Sequence, residues 1–367
     1  MRDGGAWLAL GLILMITAVL YVVVYQVTEE PIHQRFLYRA EQERNTLLFR
    51  LNAHAQVLRG GAAFFEASGS VNREEWRNYV SHLRLAETLP GIQATGFALM
   101  IQPTEKAAHE AAIRATGFPY YAIKPDGKRE QYSSVVFLEP FSEINQRAFG
   151  YDMLSDPVRR HAMERARDSG QPALSGRITL LQEKIEKPQP GFLIYVPVYR
   201  PRMPHDSPTE RRMALLGFTY SAFRAQDLLG AVYNRDNKDV EIELYDTAVA
   251  PGNLLFDSQT DHKATSRGRQ MVTMPIEFGG HQWVAQFRSR PEFDSITESP
   301  LPSSIAIGSI LGGLAVFLWL RRNERFNQRT RNDAERLRNN EVRLRTLINT
   351  MPNIVCLKDG SGRWTEA

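Results

Sequence analysis

AWLALGLILMITAVLYVVVY, residues 6–25, is a run of twenty residues without a charged side chain. A second uncharged run, LPSSIAIGSILGGLAVFLWL, occupies residues 301–320. At a rise of about 1.5 Å per residue, a helix of about twenty apolar residues crosses the hydrocarbon core of a bilayer, which is about 30 Å thick. The two runs therefore predict transmembrane helices over residues 6–25 and 301–320, with residues 26–300 between them.

Each run has an alternative interpretation. The first could be a cleaved signal peptide, but it is long for one and no small-x-small cleavage motif follows it. The second could be a buried core helix, but a cluster of arginines follows it directly. Trp7, Tyr21, Tyr25 and Trp319 lie near the ends of the runs, where amphipathic rings favour the headgroup level. These features favour two membrane spans.

Flanking charge predicts the orientation of the spans. Arginines follow the second run at Arg321, Arg322, Arg325, Arg329 and Arg331, whereas only Arg2 precedes the first. The flanks facing residues 26–300 are acidic, with Glu29 and Glu30 on one side and Glu292, Asp294 and Glu298 on the other. Positively charged flanks stay in the cytoplasm. We therefore expect a two-pass protein of the inner (plasma) membrane, with both termini cytoplasmic, including residues 1–5, and residues 26–300 periplasmic or extracellular.

The net charge of +4 and the pI of about 9.1 do not indicate a nucleic-acid-binding protein. Residues 321–350 alone hold nine arginines against four acidic residues, so the rest of the chain is close to neutral and shows no basic stripe. The one cysteine, Cys356, is on the predicted cytoplasmic side. The outer segment therefore has no disulfide, and burial of its core must stabilise it.

The first outer segment, residues 26–66, carries a narrow apolar stripe at helical spacing. Its members are Phe36, Ala40, Leu47, Leu51, Leu58, Ala62 and Phe65. A stripe this narrow is typical of a helix that pairs with another helix, which predicts a dimerisation stalk. Alternatively, the stripe belongs to an ordinary amphipathic helix packed on its own domain, and both interpretations can hold in different halves of the segment.

Local signals divide the remaining outer segment into helices and strands. Asn72 with Glu75 forms a capping-box pattern, and Asp156 before Pro157 marks a helix start that Gly170 can end. Alternating runs, with Gly279-Gly280 as a hairpin turn, predict short antiparallel strands, whereas residues 200–211 are expected to form a loop. The fold class is α+β, with two consecutive units at residues 67–210 (membrane-distal) and 211–300 (membrane-proximal).

Beyond the second span, apolar residues recur at spacings of three and four. The repeat comprises Ala334, Leu337, Glu341, Leu344, Ile348 and Met351. This heptad-like pattern, weakened by a glutamate, predicts a parallel two-helix coiled coil over residues 321–350 and hence a homodimer. Gly308 and Gly312 form a G-x-x-x-G pair inside the span, which permits close helix packing.

Several ordered motifs resemble the CHASE sensor domain, the extracellular module of plant cytokinin receptors and many bacterial signalling proteins. They are Phe64-Phe65-Glu66-Ala67-Ser68, Trp76 with Tyr79, Pro90-Gly91-Ile92, Gly96-Phe97-Ala98, Arg147-Ala148-Phe149-Gly150-Tyr151-Asp152-Met153, Ala162-Met163-Glu164-Arg165-Ala166, Gly191-Phe192-Leu193-Ile194-Tyr195 and Val196-Pro197-Val198-Tyr199. The resemblance covers roughly residues 60–235. It implies a long dimerisation helix followed by two tandem PAS-like units, of which the membrane-distal unit holds the pocket for a small-molecule ligand.

Residues 351–367 resemble the start of a PAS domain, through Met351-Pro352-Asn353-Ile354-Val355, Lys358-Asp359 and Gly362-Arg363-Trp364. We expect these residues to be a truncated PAS start. The resemblance implies that an output module followed it, commonly a histidine kinase or a diguanylate cyclase or phosphodiesterase.

Catalytic and metal-binding motifs do not occur in the chain. There is no G-x-S-x-G, H-E-x-x-H, G-x-x-x-x-G-K-[ST] or C-x-x-C, and the eight histidines form no spaced ligand set. We therefore predict no enzymatic activity for this chain, no cofactor and no metal.

The resemblance places candidate ligand-binding residues in the membrane-distal unit. They are Tyr121, Glu130, Tyr132, Phe137, Phe149, Tyr151, Asp152, Met153, Ser175 and Tyr195. Either carboxylate, Glu130 or Asp152, could accept a hydrogen bond from a ligand amine such as that of an adenine derivative. Alternatively, Asp152 caps or supports a turn and Glu130 is a solvated strand residue.

Together these inferences predict a transmembrane signal receptor. Binding of a ligand to the outer domain would shift the paired helices. The second span would carry this shift to the cytoplasm. The alternative is an outer module that binds a protein partner, or only dimerises, without a small-molecule ligand.

Overall fold

The computed structural model describes residues 4–182, 189–233, 240–258, 269–291, 293, 301–350, 357–358 and 360–366. The chain divides into two compact units. One comprises residues 1–31 and 299–367, and the other comprises residues 32–298.

The unit of residues 1–31 and 299–367 holds the two apolar runs. Helix α1 spans Gly4–Ser68 and so begins here, and helix α8 spans Leu301–Thr350. Both are long and apolar enough to cross a membrane. The rings of Trp7 and Phe317 lie 5.0 Å apart, and a Cβ on Gly313 would lie 2.8 Å from Ile13. Two short strands, β11 (Leu357–Lys358) and β12 (Trp364–Glu366), pair antiparallel, whereas the predicted PAS motif at residues 351–355 lies outside the described residues.

The unit of residues 32–298 contains two antiparallel sheets. The first has the order β2-β1-β6-β5-β3, with β4 also paired to β5. Its strands are β1 (Ile92–Ile101), β2 (Tyr132–Glu139), β3 (Ala173–Leu174), β4 (Ile178–Thr179), β5 (Pro190–Tyr199) and β6 (Leu215–Arg224). The second has the order β8-β7-β10-β9. Its strands are β7 (Val240–Asp246), β8 (Leu254–Asp257), β9 (Met271–Phe278) and β10 (His281–Ser289).

Besides α1, six α-helices whose bounds lie within the described residues accompany these sheets. They are α2 (Arg73–His82), α3 (Leu85–Thr88), α4 (Lys106–Ala115), α5 (Pro157–Ser169), α6 (Pro208–Ala214) and α7 (Ala225–Val232). The predicted caps are confirmed. Asn72 and Glu75 form the capping box of α2, Asp156 accepts from the Arg159 amide at the start of α5, and Gly170 ends α5 with φ of 69°. The α+β class with antiparallel sheets is confirmed as well.

The predicted boundary between residues 210 and 211 is wrong. Strand β6, which that boundary assigned to the second unit, lies in the middle of the first sheet, between β1 and β5. The division between the sheets therefore follows Arg224. Residues 208–214 form helix α6, which begins inside the loop predicted for residues 200–211, because Ser207 and Glu210 make a second capping box.

The apolar stripe of α1 is buried in its own domain. Its seven residues are at most 6% exposed and join one core cluster with residues of both sheets, such as Phe192, Phe223 and Trp283. The interpretation that this stripe pairs with another chain is therefore wrong, and the alternative, packing on its own domain, is correct. A face that already covers the core is not available to a partner helix.

The first sheet lies between two apolar layers. Along β5, Phe192, Ile194 and Val196 belong to the cluster that contains the α1 stripe. Leu193 and Tyr195 belong to a second cluster with Met163 and Ala166 of α5. Successive strand residues point to opposite faces of a sheet, so α1 covers one face of this sheet and α5 covers the other.

Candidate ligand-binding site

Helix α5 presents one mixed face beside the first sheet. Arg160, Met163, Glu164 and Arg167 follow the spacing i, i+3, i+4 and i+7, which places them on one side of a helix. Met163 is fully buried in the second core cluster, whereas Glu164 is half-buried and Arg160 is exposed. The side chains of this helix face therefore range from buried to exposed.

A cavity of about 460 Å³ lies between this helix face, strands β1 and β6, and the segment before β2. Five lining residues are apolar, namely Met100, Leu154, Met163, Leu215 and Phe218. The other six are polar, namely Arg129, Glu130, Gln131, Arg160, Glu164 and Arg167. Small-molecule sites typically have this volume and combine apolar lining with a few directing polar groups.

The three arginines of the cavity already have acceptors. Arg129 donates from Nη1 to the Pro125 carbonyl at 3.0 Å. Arg160 donates from Nε to the Leu154 carbonyl at 2.8 Å, and Arg167 donates from Nε to Asp168 at 2.7 Å. Hydrogen bonds from Arg212 and Arg167 also hold the pKa of the Asp168 carboxyl well below its usual range. Each of these guanidinium groups therefore already donates to at least one acceptor within the protein.

The two glutamates of the cavity are different. Among the described residues, neither the Glu130 nor the Glu164 side chain makes a hydrogen bond or an ion pair. Glu130 is exposed at the rim and Glu164 is half-buried on α5. An ionised carboxylate only accepts hydrogen bonds, so these two side chains offer acceptors to a ligand.

Asp152 lies behind the cavity and supports it. Its side chain is fully buried, and Oδ1 accepts from the amides of Ser133 at 2.8 Å and Leu154 at 3.1 Å. Its Oδ2 lies 3.4 Å from Nε of Arg129. Burial raises the pKa of the Asp152 carboxyl, while these amides and Arg129 act in the opposite direction. The alternative interpretation from the sequence, that Asp152 caps or supports a turn, describes these contacts.

Tyr121 and Phe149 lie in an aromatic layer outside the cavity. Their rings are 4.8 Å apart. The Tyr121 hydroxyl is 2.7 Å from Ser134 Oγ and 2.9 Å from His109 Nε2, and burial raises the pKa of Tyr121 to about 12. The layer continues to Arg73, whose guanidinium lies 4.8 Å from the Phe149 ring centroid. These residues hold the loop before α5 in place.

Four other predicted residues make contacts within the protein instead of lining the cavity. Tyr132 donates to the Gly127 carbonyl at 2.8 Å, and Tyr195 donates to the Met153 sulfur at 3.1 Å. Ser175 accepts from the Leu193 amide at 2.9 Å, and the Tyr151 ring lies under the Arg159 guanidinium.

Phe137 points to the opposite face of the sheet and packs with Phe65 and Phe97. Of the ten predicted residues, the structure places only Glu130 in the cavity lining.

Sequence reasoning missed the α5 face. A signal was present, because Glu164 and Met163 fall in a stretch that resembles the sensor family, and two arginines flank them at helical spacing. No group of three or more His, Cys, Asp or Glu residues in the described part of the chain could hold a metal ion. The lining of the cavity itself offers hydrogen-bonding groups and apolar contact.

Comparison with protein families gives one match, the CHASE domain, over residues 69–256. Comparison with curated proteins gives no match. Among solved structures, the chain is similar to the ligand binding domain of the Pseudomonas aeruginosa PAO1 amino acid chemoreceptors PctB in complex with L-Arg, with 11% identity over 74% of this chain and 100% of that chain and a TM-score of 0.43. It is also similar to the periplasmic sensory domain of the Campylobacter jejuni chemoreceptor Tlp1, with 8% identity over 75% and 98% of the two chains and a TM-score of 0.39.

Proposed function

The chain belongs to the CHASE domain family, and from that premise we propose that it is a transmembrane signal receptor whose outer domain binds a small molecule beside α5. The observation that carries this proposal is the cavity of about 460 Å³, with its apolar lining and two free carboxylates. Sensor domains act by recognition, and this cavity combines the volume and the lining that recognition of a small molecule needs.

The free carboxylates indicate the class of ligand. Glu130 and Glu164 can only accept hydrogen bonds while ionised, and each arginine around them already donates to an acceptor within the protein. A ligand with an amine or ammonium group would satisfy both acceptors, and a flat or aliphatic body would pack on Met163 and Phe218. An adenine derivative fits this description, as do other small amines.

The membrane arrangement is part of the proposal. Two candidate membrane spans lie on α1 and α8, on either side of the sensor domain in the sequence. Arginines follow the second span and acidic residues flank the outer segment. By the positive-inside rule the sensor domain is periplasmic or extracellular and both termini are cytoplasmic. The two antiparallel sheets then form two tandem PAS-like units, with the boundary after β6.

Helix α8 offers a surface for a homodimer. At about 100° per residue, six of its residues fall within about 40° of one another on a straight helix. They are Gly308, Gly312, Trp319, Phe326, Leu337 and Leu344. The four large side chains are exposed, and a Cβ on either glycine would meet no described atom within 4 Å. A second copy of α8 would cover this face from the span into the coiled coil, and signal transmission would require the ligand to bind one arrangement of the pair more tightly.

Thermal unfolding of the full-length protein in detergent, with a panel of small amines that includes adenine derivatives, tests the ligand. A compound at 100 times its Kd stabilises the folded state by about 2.7 kcal/mol, which for a domain of this size raises Tm by about 5 °C. We expect Glu164→Gln and Glu130→Gln to reduce or abolish the shift, because a neutral amide accepts from an ammonium group more weakly than a carboxylate does.

Glu143→Gln is the matched control, because Glu143 is an exposed glutamate that does not line the cavity. It should leave the shift unchanged. An equal shift in all three variants would place the ligand outside this cavity. The absence of a shift with every compound would favour an outer domain that binds a protein partner.

A further inference from the structure

Helix α5 makes contacts in two directions. Arg160, Met163, Glu164 and Arg167 line the cavity. Arg165, the residue after Glu164, leaves the helix about 100° further round its axis and reaches the turn between β9 and β10 in the second sheet. One helix therefore touches both the cavity and the second sheet.

The contact at this turn centres on a single carbonyl. Arg165 donates from Nε to the Gly279 carbonyl at 3.2 Å and from Nη2 to the Leu174 carbonyl at 2.6 Å. The Leu174 amide donates to the same Gly279 carbonyl at 3.2 Å. Helix α5, strand β3 and the β9–β10 turn are thus joined by one set of hydrogen bonds.

The β9–β10 turn makes close contacts at this junction, beside a cavity of about 470 Å³ that Arg165, Gly279 and Gly280 help to line. Gly279 and Gly280 both have positive φ, at 56° and 67°. A Cβ on Gly279 would lie 2.6 Å from the Leu174 nitrogen, and a Cβ on Gly280 would lie 2.6 Å from Cδ of Arg165. A side chain added at either glycine would therefore have to displace a neighbour. These contacts and the hydrogen bonds of Arg165 link α5 directly to the turn.

A second contact holds the same end of the second sheet. Asp246, the last residue of β7, accepts from the Arg177 amide at 2.7 Å and pairs with His281, the first residue of β10. Arg177 follows β3, so both contacts connect the segment around β3 to the ends of β7 and β10. These hydrogen bonds hold one end of the second sheet beside α5, in addition to the apolar core that the two sheets share.

We propose that Arg165 is the coupling residue of this receptor: it transmits occupancy of the cavity from α5 to the β9–β10 turn and so to β10, the last strand before α8. The signalling role of Arg165 rests on the proposed function. The coupling itself involves only the cavity, α5 and the second sheet. It assigns Arg165 a role that contact with a ligand does not require, because Arg165 does not line the cavity.

The test uses an occupant that does not depend on the natural ligand. In full-length protein with Cys356→Ser, Glu164→Cys provides one thiol at the cavity, and N-ethylmaleimide attaches a bulky group there. Hydrogen–deuterium exchange of the Leu174 amide and of the β9–β10 amides is measured before and after labelling. Because the Leu174 amide donates to Gly279, it reports directly on the junction.

With Arg165 intact, we expect labelling to change exchange at these amides by at least about threefold, whereas in an Arg165→Met background the change should be absent. Arg212→Met is the matched control, because Arg212 pairs with Asp168 and not with the turn, and the change should persist there. Gly280→Ala disturbs the junction from the other side and should also abolish it. Protected amides in β5 confirm that each variant is folded.

Two results would overturn the proposal. One is an equal response to labelling with and without Arg165, and the other is no response with Arg165 intact. The proposed ligand is tested separately, since a failure of every amine to bind would leave the response to labelling unaffected.

Discussion

His54 of α1 should make the stability of the sensor domain depend on pH. Its ring is 1% exposed and packs against Phe223 at 4.8 Å between centroids. Neither ring nitrogen has a hydrogen-bond partner among the described residues. Burial, together with the positive charge of Arg50, lowers the pKa of His54 from 6.5 to about 4. Protonation of His54 is therefore less favourable in the folded state than in the unfolded chain.

The sign and size of the effect follow from linkage. Above pH 6.5 neither state binds the proton, so the full stability is present; as pH falls from about 6.5 to about 4, only the unfolded state gains it and stability is lost. At about 1.4 kcal/mol per pKa unit, the total loss is about 3 kcal/mol, of which about 2 kcal/mol is lost by pH 5.

The assay is chemical denaturation of the full-length protein in detergent at pH 7.5, 6 and 5. Other groups also titrate in this range, so the informative quantity is the difference between the wild type and His54→Leu. We expect the variant to be more stable at pH 7.5 by about 1 kcal/mol, because it removes a buried group without a hydrogen-bond partner. It should also lose less stability than the wild type on acidification.

His161→Leu is the control, since it replaces an exposed histidine on α5 whose Nδ1 lies near the Pro157 carbonyl. This variant should show the pH dependence of the wild type. If His54→Leu loses as much stability between pH 7.5 and pH 5 as the wild type does, His54 is not the group responsible and the reasoning is refuted.

Arg73→Ala should lower the free energy of unfolding by about 2–3 kcal/mol in the same assay. The guanidinium lies within 5.0 Å of three phenylalanine ring centroids and donates to the Val136 carbonyl. A loss under about 0.5 kcal/mol would contradict this prediction. Gly91→Ala should lower the free energy of unfolding by several kcal/mol more than Gly117→Ala does. Both glycines have φ near 100°, but only at Gly91 would a Cβ lie 2.4 Å from a backbone atom, Cα of Leu228. Equal losses of stability would show that φ alone matters. In membranes, with the native cysteine replaced, Leu337→Cys should form disulfide-linked dimers and Arg336→Cys, about 100° round α8, should not; equal yields would exclude the proposed face.

Local chemistry made much of the fold predictable. The capping box at Asn72 and Glu75, the start of α5 at Asp156 and the turn at Gly279-Gly280 each depend on residues a few positions apart. Hydrogen bonds of this range are determined by the residue types and their spacing. Such elements were therefore placed within a few residues of their observed bounds.

Pairing between distant segments was not predictable in the same way. Strand β6 has an apolar pattern that suits either sheet, and only its pairing with β1 and β5 assigns it to the first. The stripe of α1 likewise shows that a helix has one buried face but not what buries it. Both questions are decided by contacts between residues far apart in the sequence, for which one sequence carries no signal.

The candidate site shows the same division. Glu130 was expected near a ligand and lies in the cavity lining. Asp152, in contrast, accepts hydrogen bonds from two backbone amides and pairs with Arg129. The residue type of a carboxylate reveals its capacity to accept hydrogen bonds. Whether that capacity is free depends on neighbours that the fold supplies, and for Asp152 these come from strand β2 and the turn before α5.

The buried stripe of α1 lies inside the compact unit of residues 32–298 but outside the stretch that matches the family. The family match begins at residue 69, directly after α1 ends. The compact unit begins at Ile32, and Thr219 donates to the Leu58 carbonyl across 161 residues of sequence. A fragment starting at residue 69 would leave Trp76 and Phe223 facing water, a patch that favours aggregation. A fragment that keeps this core covered therefore starts near Ile32, and the contact between Thr219 and Leu58 can form only after β6 is synthesised.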